Sequence, residues 1–264
     1  KIMVKVGQLN SKDSPANKKY AIPLSITGAS NYSLIPSQRS AILLLNRSIL
    51  SSVAKVSGGE GIRIKPVGMH TKAEWTIQMS AIYSSLTRSN LTTAYLSNGT
   101  GGEFYTRISS TAGIQVKNGR DGDDTWTQIP LQAGKWLHIT YVHKDKKTTV
   151  YVNGKVQKVF ENSAITFGEN SMIVVGNSGY RNDYLREIRL WDKALTESEI
   201  NDYLYLPMDP ATPHLISYLP LSKEMETKDL KAPAGTENVT TKARIEYVEN
   251  VKFPADELVI VNQE

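Results

Sequence analysis

The most constraining feature of this sequence is a series of short segments in which apolar and polar residues alternate, each bounded by glycine, asparagine or aspartate. Alternation with period two is what a strand buried on one face requires, and its repetition along a chain points to an all-β sandwich or barrel rather than a helical bundle. From Glu74 the residues fall as Trp75, Ile77, Met79 and Ala81 on one face and Glu74, Thr76, Gln78 and Ser80 on the other. This predicts a half-buried strand with Trp75 turned inward. Further strands are expected over residues 93–96, 103–108 and 113–117, separated by Gly- and Asn-rich turns. A meander follows: residues 136–142, the charged turn Lys144-Asp145-Lys146-Lys147, then 148–152 and 155–160. Asn153-Gly154 between the last two supplies the pair that a type I′ turn requires. Strands are expected again at 171–176 and 185–191. One helix is predicted, from Thr196 to Leu204, where Thr196 and Glu199 form a capping box and Pro207 and Pro210 stop the chain from continuing it.

Composition narrows the chemistry. Cysteine is absent, which excludes disulfides, thiolate zinc sites and a cysteine nucleophile. Lys and Arg number 31 against 26 Asp and Glu, a net charge of +5 without a long basic run, so nucleic acid is not an expected partner. No apolar run approaches the roughly 18 residues that span a bilayer. The chain opens at Lys1 inside a strand-like pattern, and an export or lipidation signal is expected upstream of it. Membrane association is then expected only through a lipid anchor removed with that segment.

Three stretches taken together resemble a known fold family. They are Gly134-Lys135-Trp136-Leu137-His138-Ile139-Thr140-Tyr141, Val150-Tyr151-Val152-Asn153-Gly154-Lys155, and Leu185 through Trp191-Asp192-Lys193-Ala194-Leu195 with Thr196-Glu197-Ser198-Glu199-Ile200 behind it. In order and spacing they resemble the laminin-G-like, concanavalin A-like jelly roll of surface proteins and pentraxins. The resemblance implies a jelly roll over residues 56–206, flanked by the remnant of a small β-sandwich domain at 1–50 and by strands at 207–264 that complete or flank the main one. Tyr20-Ala21-Ile22-Pro23-Leu24-Ser25-Ile26 and His214 through Leu221 look like segments of Bacteroidetes surface lipoproteins, which implies the extracellular face of the outer membrane and a role in polysaccharide utilization. The family usually has Asp-Glu where Arg186-Glu187 stands here, and in pentraxin-like relatives acidic residues contribute to calcium sites.

The same fold hosts glucanase-like glycoside hydrolases, which need two carboxylates about 5 to 9.5 Å apart. The strand motifs Glu-x-Asp-x-x-Glu and Glu-x-Asp-x-Glu are absent, and His70, His138, His143 and His214 are scattered. The expected function is therefore non-catalytic binding of an oligosaccharide or polysaccharide, with a protein partner in adhesion or spacing as the alternative and hydrolysis as the second. Sugar sites combine aromatic faces with amide, carboxylate and guanidinium groups. On that ground Trp126, expected to be exposed in an acidic hairpin, and the loop residues Tyr180, Arg181, Asn182, Asp183 and Tyr184 are the candidate ligand-binding residues. Asp121, Asp123 and Asp124 are weak calcium candidates that lack the later Glu of a calcium loop. No other cofactor is expected.

Overall fold

The computed structural model describes residues 20–28, 31, 33, 35, 40–44, 48–59, 61–67, 72–86, 95–97, 104–117, 123–161, 165–166, 171–176 and 180–262, with the side chains of 44, 95–97, 123, 180 and 181 outside it. The chain divides into two compact units, Lys1–Ile49 and Leu50–Glu264. In the first, β1 (Ala21–Ser25) pairs antiparallel with β2 (Ser40–Leu44). The strand predicted near residues 2–6 lies outside the described residues.

The second unit is built from two antiparallel sheets. The larger has β5 (Trp75–Ile82) at its centre, flanked by β9 (Trp136–Lys144) and by β13 (Tyr180–Trp191). Beyond β9 come β10 (Lys147–Val152) and β11 (Lys155–Glu161), and beyond β13 come β3 (Ile49–Gly58) and β16 (Arg244–Phe253). A further strand, β14 (Leu215–Leu219), also pairs with β13. The smaller sheet runs β15 (Val239–Thr240), β4 (Ile62–Ile64), β12 (Met172–Val175), β6 (Tyr95–Ser97), β7 (Phe104–Ser109), β8 (Gly113–Lys117). Residues beyond 206 thus add strands to both sheets.

The meander forms as its turn residues require. Asn153 and Gly154 have φ of 51° and 75°, and Asp145 and Lys146 have 51° and 61°. Both two-residue turns need this left-handed backbone to match the twist of the paired strands. Asn153 then serves the sheet itself, its Oδ1 accepting from His138 N at 2.8 Å.

The inner faces of the two sheets meet in one core. Trp75 packs edge-on against Phe104 at 5.0 Å and Phe104 against Tyr141 at 5.1 Å, so a ring from the smaller sheet sits between two from the larger. The sequence predicts a solvated second face for β5, and the structure corrects this: Thr76, Gln78 and Ser80 are buried as well. The cause is the segment after β13, which folds back over that face. Thr76 Oγ1 donates to Lys193 O at 2.8 Å and accepts from Leu195 N at 3.0 Å, and Trp191 Nε1 donates to Gln78 Oε1 at 2.8 Å. A second cluster, including Val142, Trp191, Leu195, Ile200, Met208 and Tyr218, closes over these bonds. Ile200 comes from α1 (Glu197–Asp202), which starts at the expected capping box but ends before the expected Leu204.

His143 is buried in the core, stacked on Trp75 at 5.1 Å. Its Nε2 accepts from Ile165 N at 3.2 Å, which leaves Nδ1–H to donate to Thr148 Oγ1 at 3.0 Å. That neutral tautomer has no room for a second proton, and burial pulls the imidazole down to about 4. Because the unfolded imidazole titrates at about 6.5, stability is fully present above that pH and falls as pH drops toward the folded value, by on the order of 3 kcal/mol. Urea midpoints measured from pH 7 to pH 4.5 should decline in the wild type and decline less in His143→Gln. Equal slopes would show that His143 does not carry the acid sensitivity.

Candidate functional site

Strand β13 is the element that builds the outer face of the larger sheet. Its first part pairs with β3 up to Leu185↔Ala54, and its second part pairs with β14 from Ile188↔Leu219. At this fork the register against β5 jumps between Arg186 and Arg189, and Glu187 takes φ 56°. The jump is a β-bulge, which puts two consecutive residues on one face. Leu185, Ile188 and Leu190 join the inner core, which leaves Arg186, Glu187 and Arg189 together on the outer side.

All three are buried. Glu187 Oε1 accepts from Arg186 Nη2 at 3.3 Å, while Oε2 accepts from Arg189 Nη2 and, at 2.9 Å, from the Tyr218 hydroxyl. The guanidiniums also take main-chain carbonyls just past α1. Arg186 Nη1 donates to Tyr205 O at 2.8 Å, Arg189 Nη1 to Tyr203 O at 3.0 Å, and Arg189 Nη2 to Leu206 O. The acceptors are the carbonyl of the C-cap Tyr203 and those of two residues beyond it, so the arginine forks hold the chain where it leaves the helix. Burial raises the Tyr218 phenol well above its ordinary range and lowers Arg186.

Next to this cluster lies a polar and aromatic patch. Cross-strand pairing sets Arg186, Ser80 and His138 in one row and Tyr184, Ile82 and Trp136 in the next. Ser80 Oγ and His138 Nδ1 are 2.7 Å apart, and the Trp136 and His138 rings lie nearly parallel at 6.4 Å. Burial, then the charges of Arg186 and Arg189, hold His138 down at about 3. The C-terminal segment closes one side. Phe253 packs against Trp136 at 5.0 Å and under the Arg186 guanidinium at 4.0 Å, Trp136 N donates to Asp256 O at 2.8 Å, and Lys135 pairs with Glu257.

This arrangement of two antiparallel sheets is matched at the level of sequence. The family model for the concanavalin A-like lectin/glucanases superfamily, in its laminin-G form, matches residues 57–201. The chain belongs to this superfamily. Among solved structures, a candidate carbohydrate-binding protein from Bacteroides ovatus is similar with a TM-score of 0.60 at 16% identity, covering 93% of this chain and 72% of that one. A heptameric pentraxin from Limulus polyphemus gives a TM-score of 0.48 at 12% identity, covering 76% and 94%. At such identities the likeness to the Bacteroides protein is one of fold. No curated protein matches this sequence.

Within this laminin-G-like sandwich the candidate residues part company. The supposed loop is strand from Tyr180 onward, with Tyr180 opposite Gly58 and Arg181 opposite Ser57. The side chains of these two lie outside the described residues. Asn182 is exposed at a second bulge with φ 63°, and Tyr184 is half-buried on the outer face, opposite Lys55. Asp183 is a correction: only 1% exposed, it accepts from Ser84 N at 2.8 Å and Ser84 Oγ at 3.0 Å, so it fastens the backbone and does not face a ligand. Trp126 is another. Expected exposed, it is 6% exposed and pairs opposite Gln115 as an extra edge residue of β8. Sequence reasoning did not group His138, Ser80 and Arg186 with Trp136, because their grouping comes from the pairing of β5 with β9 and β13, strands far apart in the chain.

Of the calcium candidates, Asp121 lies outside the described residues, Asp123 is described only in its backbone, and Asp124 is exposed. Asp123–Thr125 form a single 3-10 turn. Among the described residues there is no group of three or more metal-ligating side chains. Carbonyls of that turn are occupied by an internal cation: Lys158 Nζ donates to Asp124 O at 2.8 Å and Trp126 O at 2.7 Å. Lys158→Met leaves both carbonyls without that donor and should lower stability by about 1–2 kcal/mol. The urea midpoint should also be unmoved by EDTA in the wild type. A midpoint that falls with EDTA, or one that ignores the substitution, contradicts this role for Lys158.

Proposed function

We propose that this protein is a non-catalytic carbohydrate-binding protein displayed at a bacterial cell surface, which holds an oligosaccharide or polysaccharide on the outer face of its larger sheet. The observation that carries the reading is the placing of the half-buried Tyr184 and His138 on the outer face, on adjacent cross-strand rows and beside the exposed Asn182, over a buried layer of Trp136, Ser80 and Arg186. Ring faces match the apolar faces of sugar rings, while hydroxyl, imidazole and amide groups match their hydroxyls. The superfamily includes both lectins and glucanases. Of the carboxylates around the patch, Glu187 has both oxygens engaged by arginines and Glu257 is paired with Lys135. Hydrolysis would need two carboxylates facing one bond, so binding without cleavage is the better fit.

The likeness to the Bacteroides protein, whose own description is of carbohydrate binding, supports the ligand class, and the surface location rests on the sequence resemblance to surface lipoproteins. Among the described residues, no helix is long and apolar enough to cross a membrane. Affinity electrophoresis against plant and host polysaccharides, with calcium and with EDTA, tests the reading. At least one polysaccharide should retard the wild type. Tyr184→Ala with Asn182→Gly, which keeps the left-handed backbone unstrained, should weaken that retardation about tenfold, the loss of roughly 1.4 kcal/mol, while the circular dichroism spectrum stays that of the folded wild type. If no polysaccharide retards the protein, the reading is wrong and a protein ligand takes its place.

A further inference from the structure

We infer that the outer face of the smaller sheet is a second binding surface, which takes a polysaccharide bearing acidic groups and grips one of those groups with Arg107. The inference rests on the carbohydrate-binding reading for its ligand class and uses none of the residues that carry that reading. Its basis is the distribution of charge. The strands of the smaller sheet contain Arg63, Arg107 and Lys117 and not one aspartate or glutamate. Ile64, Phe104, Ile108 and Val116 belong to the core, so the period of two sends all three cations to the outer side. Each of them is half-buried there, with part of its side chain in solvent. On the larger sheet, by contrast, the exposed Lys144, Lys147 and Arg244 are each paired with a glutamate.

Strand pairing aligns these groups. Arg63, Val174, Tyr95, Tyr105 and Lys117 stand opposite one another in turn, and Thr240 extends the row beyond Arg63 with an exposed hydroxyl. At a strand spacing of about 4.8 Å, the backbones at Arg63 and Lys117 lie about 19 Å apart. Arg107 is one pleat along from Tyr105 and is held by it. The guanidinium lies over the Tyr105 ring, 5.3 Å from its centre, and Nε donates to the Tyr105 hydroxyl at 3.5 Å. Its two η nitrogens have no partner among the described residues. A guanidinium fixed on a ring with its fork open matches a carboxylate or sulfate through two parallel charge-assisted bonds. A lone small anion uses Arg107 and nothing else. A chain with spaced acidic groups also uses the positive row beside it, and its hydroxyls match those of Tyr105 and Thr240.

The experiment is affinity electrophoresis in gels containing polygalacturonate or dextran sulfate, beside gels containing their neutral counterparts, methyl-esterified polygalacturonate and dextran. Wild type, Arg107→Gln, Arg107→Lys and Lys117→Gln are compared, each with a circular dichroism spectrum to show that it is folded. At least one acidic polymer should retard the wild type about tenfold more strongly than its neutral form, and Arg107→Gln should lose about tenfold of that retardation. Arg107→Lys, which keeps the charge but not the fork, should lose part of it, and so should Lys117→Gln. Retardation should also weaken between about 0.01 M and 0.15 M salt, as the Debye length falls from about 30 Å to about 8 Å. Equal retardation by acidic and neutral forms, or variants of Arg107 and Lys117 that migrate like the wild type, would overturn the inference. Polyacrylate, which carries carboxylates without sugar, competing as well at equal charge would overturn the polysaccharide as its ligand. Retardation by neutral polymers alone, lost in Tyr184→Ala with Asn182→Gly, would overturn this second surface and leave the carbohydrate reading standing. Silence in every gel would remove both.

Discussion

Much of this structure depends on one buried carboxylate, that of Glu187, held between two arginines on a single strand. Taking three charged groups out of water costs several kcal/mol for each, and against that cost every Nη nitrogen of the two arginines finds an acceptor. The bulge makes this possible by turning Arg186 and Glu187 to the same side. Its left-handed backbone at Glu187 costs about 1–3 kcal/mol by itself. In return the strand can change partners from β3 to β14, and the arginines bind the chain that leaves α1. Sheet branching and the path of the chain over the outer face therefore meet at the same contact.

That cover divides the outer face into two parts. Toward Trp191 the face is sealed by α1 and Leu215, and the polar side chains of β5 spend their bonding capacity on the segment that seals them. Toward Trp136 the covering chain is the C-terminal segment, and there the polar groups are less completely matched. The half-buried Tyr184 and His138 and the exposed Asn182 are the polar and aromatic groups that this part of the face presents outward.

The alternation of Trp75, Ile77, Met79 and Ala81 made the inner core legible in the sequence, because period two is set by the strand itself. The turn at Asn153-Gly154 and the cap at Thr196 were legible for the same reason, each being a local backbone requirement. Strand β3 was not: its serines at 51, 52 and 57 mask the pattern of Val53, Ala54 and Val56, although it is a central neighbour of β13. Period two also assigns Arg186 and Glu187 to opposite faces, and only a bulge overrides that. Trp126 and Asp183 show the limit from the other side. Both sit in polar, turn-like sequence that suggests exposure, and both are buried by partners far along the chain, Lys158 for the backbone of Trp126 and Ser84 for Asp183. Long-range bonds of this kind leave no local signature.

The most direct test of the central contact is the unfolding free energy of Glu187→Ala set beside that of Glu187→Gln. Removing the carboxylate leaves two buried guanidiniums without their counter-ion, and Glu187→Ala should lose about 3–5 kcal/mol, the range found when one partner of a buried pair is removed. Glu187→Gln, which keeps an acceptor for one arginine, should lose less. A loss under about 1 kcal/mol in Glu187→Ala would show that the fork, the helix end and the outer face hold together without it, and would contradict this account.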